Sequence, residues 1–127
     1  MIQLLLYSSD GEQRQRMLAA IHMYASEFML ETFADIRALN RRLRRDRSGN
    51  IWLLLMAADP IELGRLSAMG ELIKNTRSIL ILPDERRETV FVGHSLFPRF
   101  ITYLDSDLSD VGSVLGMVIR KQDGQSH

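Results

Sequence analysis

Asp10 and Asp59 are the two carboxylates of this 127-residue chain best placed to do chemistry. Each lies just past an apolar run, and in open α/β sheets ligands gather beyond the carboxyl ends of the strands. A close carboxylate pair there could act as general acid and base, or hold a divalent cation. Each aspartate also stands immediately ahead of a helical segment. There a carboxylate caps free backbone amides and complements the helix dipole. Capping is the simpler expectation for both.

The arginines Arg37, Arg41, Arg42, Arg44, Arg45 and Arg47 form the densest charge feature. Clustered guanidinium groups suit bidentate recognition of phosphate or of an acidic partner. These arginines flank an Ile36–Leu39–Leu43 stripe, however, and no aromatic residue interleaves with them. That is the pattern of a solvated helix face, and it is the expectation adopted. His22, His94 and His127 are too scattered to form a ligand set. Gly64, Gly70, Gly93 and Gly112 are isolated, so no phosphate loop is present, and Ser8, Ser9 and Ser95 lack a nucleophile-elbow context. The chain has no cysteine, which removes disulfides, thiol catalysis and cysteine-based zinc sites. Neither a catalytic site nor a metal or other cofactor is expected.

Sixteen basic residues balance sixteen acidic ones. The molecule therefore has no overall electrostatic pull toward nucleic acid or an anionic membrane. With 46% hydrophobic and 25% charged residues, the composition is that of an ordinary globular domain. The first residues lack the basic start and small-residue cleavage site of a signal peptide. The longest apolar run, residues 51–58, is too short to cross a bilayer. A soluble, cytoplasmic protein is expected.

The elements that must position these residues alternate in kind. Runs at 2–7, 51–58 and 79–82 are near-continuous Ile and Leu, as in strands covered on both faces. Shorter runs at 100–104 and 28–33 add two more strands. Helical periodicity fills the gaps. Met17, Leu18, Ile21 and Tyr24 make a stripe over 11–25, and Ile36, Leu39 and Leu43 make one over 35–47 that Ser48-Gly49-Asn50 ends. Ile61, Leu66, Met69, Leu72 and Ile73 mark a single helix over 60–75, with Pro60 in its first turn. Val111, Val114, Leu115 and Val118 mark another over 109–121. The segment 85–96 is ambiguous, because Thr89-Val90-Phe91-Val92 prefers a strand where the alternation asks for a helix. Alternating strands and helices imply right-handed βαβ units. The expected fold is a flavodoxin-like three-layer sandwich, a five-stranded parallel sheet in order 2-1-3-4-5 with helices on both faces. Residues 1–121 form the domain and 122–127 a frayed tail.

In this element order the chain resembles a response-regulator receiver domain over nearly its whole length. In that family, acidic residues after the first strand hold magnesium and an aspartate ending the third strand accepts phosphate. Ser8 and Ser9 occupy the first positions, and counting back four from Pro60 reaches Met56 at the second. The family's Thr or Ser after the fourth strand is replaced by Pro83, and its lysine after the fifth by Asp105 or Ser106. The resemblance thus implies a degenerate receiver that cannot be phosphorylated. A thioether is no acceptor nucleophile, and two hydroxyls bind Mg²⁺ poorly beside carboxylates.

The family's fourth helix, fifth strand and fifth helix meet partners. The matching region here carries Phe91, Phe97, Arg99, Phe100 and Tyr103, residue types that dominate interface energetics. Each aromatic taken singly is better read as core. Asp105, Asp107 and Asp110 cluster ahead of the last helix, where capping is the main expectation. The favoured function is an adaptor that binds a protein partner or a second copy of itself. The alternative is a small anionic or nucleotide ligand near Ser8, Ser9, Asp59 and Pro83. A third, from Asp10 and Asp59, is an acid-pair enzyme.

Overall fold

The computed structural model describes residues 2–24, 28–45 and 50–125. The apolar runs form β1 (Gln3–Ser8), β3 (Ile51–Met56) and β4 (Arg77–Leu82), with β2 (Met29–Phe33) and β5 (Phe100–Tyr103) at the edges. All pairings are parallel, and the order is β2-β1-β3-β4-β5. This is the flavodoxin-like order expected. The continuous Ile/Leu runs fall on the central strands because those strands are covered on both faces. Every residue of β3 is buried, whereas β2 leaves Met29, Glu31 and Thr32 exposed.

Period-2 alternation divides the core in two. Leu4, Leu6, Leu54, Met56, Ile79 and Ile81 face one way. There they meet Met17 and Ile21 of α1 (Gly11–Tyr24) and Val111 and Leu115 of α6 (Ser109–Gln125). Leu5, Tyr7, Leu53, Leu55, Leu80 and Leu82 face the other way. They are covered by α2 (Ile36–Arg45), α3 (Pro60–Ser67), α4 (Gly70–Lys74) and α5 (Arg87–His94). The helix end expected at Ala25, Arg47 with the Ser48-Gly49 stop, His127 and the side chain of Tyr24 lie outside the described residues. So do residues 126–127 of the expected tail, while the backbone of α6 runs on to Gln125.

Two segments depart from local pattern. The single helix expected over 60–75 is two helices, α3 and α4, broken at Ala68–Met69. Leu63, Leu66 and Met69 recur every three residues, a spacing that drifts around a 3.6-residue helix. The break lets Met69 and Ile73 stay on the sheet, both buried. The Ser67 hydroxyl donates to the Gly64 carbonyl at 2.7 Å, as serines do where helices bend or end. The ambiguous segment is helical. Local β preference loses because Thr89, Gly93 and Leu96 must lie against the sheet, with Val90 and Val92 packed beside them. Gly93 permits that approach: a Cβ there would stand 3.1 Å from the methyls of Leu82.

Candidate functional site

The carboxyl edge of the sheet is where a receiver does its chemistry, and here it is filled by its own side chains. Ser8 pairs with Met56 across β1–β3, and Met56 pairs with Ile81 across β3–β4. Met56, which the receiver resemblance matches to that family's phosphoacceptor, is 1% exposed in the α1/α6-side core. Ser8 is equally buried, and its hydroxyl donates to the Asp10 carbonyl at 3.0 Å. Arg14 Nη1 donates to the Ser8 carbonyl at 2.7 Å and so closes the β1–α1 turn.

Asp10 and Asp59 are both caps. Asp10 Oδ1 accepts the amides of Glu12 and Gln13 at 2.9 and 3.2 Å. Asp59 Oδ1 accepts the Glu62 amide at 2.8 Å, with Pro60 in the first turn. An acid pair is therefore not what these residues supply in this structure. The central carboxylate is Glu62, which sequence reasoning passed over. Its Oε1 accepts the Ala58 amide at 3.0 Å and its Oε2 accepts the Ser9 hydroxyl at 2.6 Å. The legible signal was the spacing: Asp59 and Glu62 stand three apart at a helix start, the arrangement of a capping box.

Tyr7 belongs to the same cluster. Burial, then the charge of Glu62 and a hydrogen bond to it, push the phenol up to about 12, with a smaller push from Asp35. The bond to Ser9 works in the opposite direction. Tyr7 therefore remains a protonated donor toward Glu62. Chemically, this edge is a closed acidic network. It offers hydroxyls already engaged and carboxylates that repel an anion, which weighs against the nucleotide alternative at Ser8, Ser9, Asp59 and Pro83. Among the described residues, no three His, Cys, Asp or Glu side chains converge as a metal-ligand group.

The remaining pocket positions are turns. Half-buried Pro83 follows β4, Ser106 donates its amide to the Tyr103 carbonyl at 3.0 Å, and Asp105 is exposed. Asp107 accepts the Ser109 amide at 2.9 Å, and its hydrogen bonds to Ser109 hold its carboxyl below the ordinary range. Asp84 is likewise lowered, chiefly by the Thr89 hydroxyl, with the Arg86 amide at 3.0 Å. The chain has two lysines, Lys74 and Lys121, and neither follows β5.

The residues expected to form a partner face divide. Phe91, on α5, is 76% exposed, and Phe97 and Arg99 stand exposed in the connection to β5. Tyr103 and Phe100 are half-buried, one against each core layer. The arginine run also divides. Arg37, Arg41, Arg44 and Arg45 are exposed, but Arg42 is buried. Its Nε reaches Glu31 at 3.1 Å and its Nη2 reaches Gln3 at 2.9 Å, tying α2 to β2 and β1. His22 and His94 are exposed and separate. No helix among the described residues is long and apolar enough to cross a membrane.

No family model and no curated protein matches the chain. Solved structures do resemble it, two of them from Burkholderia species. One is a protein of Burkholderia pseudomallei, provisionally described as pilus assembly-related. Its TM-score is 0.65 at 17% identity, covering 94% of this chain and 90% of the other. The second, from Burkholderia thailandensis, is provisionally described as the pilus assembly protein CpaE. Its TM-score is 0.68 at 15% identity, covering 94% of this chain and 99% of that one. At these identities the likeness is one of fold, a five-stranded parallel α/β sandwich consistent with a receiver-like architecture.

Proposed function

We propose that the chain is a receiver-like adaptor domain that acts by binding protein and performs neither phosphoryl transfer nor other catalysis. The carrying observation is the buried thioether of Met56 where a phosphoacceptor carboxylate would stand. Transfer to a carboxylate needs that nucleophile, a divalent cation and a cation for the developing charge. Met56 cannot be that nucleophile, the neighbouring carboxylates already cap helices or accept Ala58 and Ser9, and Arg14 is engaged with the Ser8 carbonyl. What the domain does offer is surface. Phe91 on α5 is a large aromatic in open solvent, and β5 is an edge strand of the sheet. The provisional descriptions of the two neighbours support seeking the partner among pilus assembly components.

Intact mass and light scattering, with and without Mg²⁺ and acetyl phosphate, test the chemical half. Unchanged mass and assembly are expected, and a gain of one phosphoryl group would refute the reading. A photoreactive residue at position 91 tests the other half. It is expected to capture a pilus assembly component that the same residue at Met29, on the opposite edge, does not.

A further inference from the structure

A second feature lies at the opposite, amino end of the strands. Between the end of α4 and the loop entering β5 is a cavity of about 460 Å³, lined by Lys74, Asn75, Thr76, Arg77, Phe97 and Arg99. Its wall carries three cations and no carboxylate. Arg77 and Arg99 make no side-chain hydrogen bond or ion pair among the described residues. Lys74 has a 3.9 Å contact with the exposed Glu71 and otherwise stands over the Phe97 ring. Like charges gathered in one concave wall raise the local concentration of anions.

Phe97 is the second observation. It is 69% exposed and has φ 51°, the only positive φ of a non-glycine residue among those described. Pro98 follows it and restricts its backbone further. A bulky side chain in the left-handed region is strained, and such strain concentrates at ligand clamps. The Phe97 ring stands beside the cations, with Lys74 Nζ 5.5 Å from its centroid.

The geometry points to a binding site for a small phosphate ester with a planar aromatic group, the nucleoside monophosphate class. Arg77 and Arg99 present guanidinium forks to the phosphate, and Lys74 adds a mobile point charge. An anion that draws Lys74 off the ring opens that face for stacking. The cavity volume is in the range of small-ligand sites. This site is independent of the adaptor reading, which rests on Met56 and Phe91.

The test is calorimetric titration of the 127-residue chain with adenosine 5′-monophosphate, inorganic phosphate and adenosine. The nucleotide is expected to bind with a Kd of about 0.1–1 mM. Phosphate and adenosine are each expected to bind about tenfold or more weakly, since each supplies half the contacts. Arg77→Ala and Arg99→Ala each weaken nucleotide binding about tenfold. Phe97→Ser lowers nucleotide affinity to that of phosphate and leaves phosphate unchanged. All three sites are exposed, and thermal melts check the variants' folding. On the wild type alone, raising salt from about 50 to about 500 mM must weaken the nucleotide several-fold. No saturable heat up to about 10 mM nucleotide overturns the proposal. So does adenosine binding as tightly as the nucleotide, or binding that ignores both salt and the arginine substitutions.

Discussion

The two ends of the sheet are opposites in charge and in satisfaction. At the carboxyl edge Glu62 accepts from Ala58 and Ser9, Asp59 and Asp10 cap their helices, and Arg14 holds the Ser8 carbonyl. At the amino edge Arg77 and Arg99 engage no described side chain, and Phe97 is held in a strained conformation. A polar group with its partners in place contributes to the fold, whereas an unpartnered one is free for a ligand. The contrast teaches that a shared fold says where to look for chemistry, while hydrogen-bond satisfaction says where binding remains possible.

The largest expected effect comes from placing a carboxylate where the resemblance puts a receiver's acceptor. Met56→Asp puts a carboxylate into an apolar core and is expected to destabilise by about 3–5 kcal/mol, read by chemical denaturation. It should gain no phosphoryl mass from acetyl phosphate. A stable, phosphorylatable Met56→Asp would erase the distinction between the closed edge and a working one.

Glu62→Ala comes next. It removes the acceptor shared by Ser9, Ala58 and Tyr7 and should cost about 1–2 kcal/mol. The fluorescence of Trp52, the single tryptophan, reports the unfolding. A change near zero would mean the edge network does not hold the β1 and β3 turns together.

Tyr7 gives a pH signature of the same cluster. Its phenol is raised from 10.0 to about 12, so the folded state holds the proton more tightly than the unfolded chain. The resulting stability is fully present below the unfolded value and is lost as pH rises through the folded one. Ultraviolet titration of wild type minus Tyr7→Phe should show a midpoint near 12, moving down in Glu62→Ala. A midpoint at the ordinary value would remove Tyr7 from the network.

At the amino edge the expected stability effects are small and of the other sign. Phe97→Gly relieves left-handed strain, offset in part by backbone entropy, and should stabilise by about 0.5–1 kcal/mol. Arg99→Ala should move stability by no more than about 0.5 kcal/mol, as a surface residue without partners does. Substantial destabilisation by either would make this edge a structural region like the first.

Strand number and order were legible in the sequence, and so was the lack of a carboxylate at position 56. The Ile/Leu runs at β1, β3 and β4 carry their burial in composition, and a missing aspartate at Met56 is missing in any conformation. The caps at Asp10 and Asp59 were legible too, because capping is local in sequence. What only the tertiary structure decided depends on partners distant in the chain. Glu62 meets Ser9 across 53 residues, and Arg42 is buried by Gln3 and Glu31 rather than solvated with its neighbours. The Thr89–Val92 stretch is helical because the sheet beside it must be covered, against its local preference. The cationic pocket joins Lys74 and Arg77 to Phe97 and Arg99, which β4 and α5 separate in the chain. Local spacing fixes elements and caps, but charge and hydrogen-bond balance are properties of assembled surfaces, so they were settled only when the chain closed on itself.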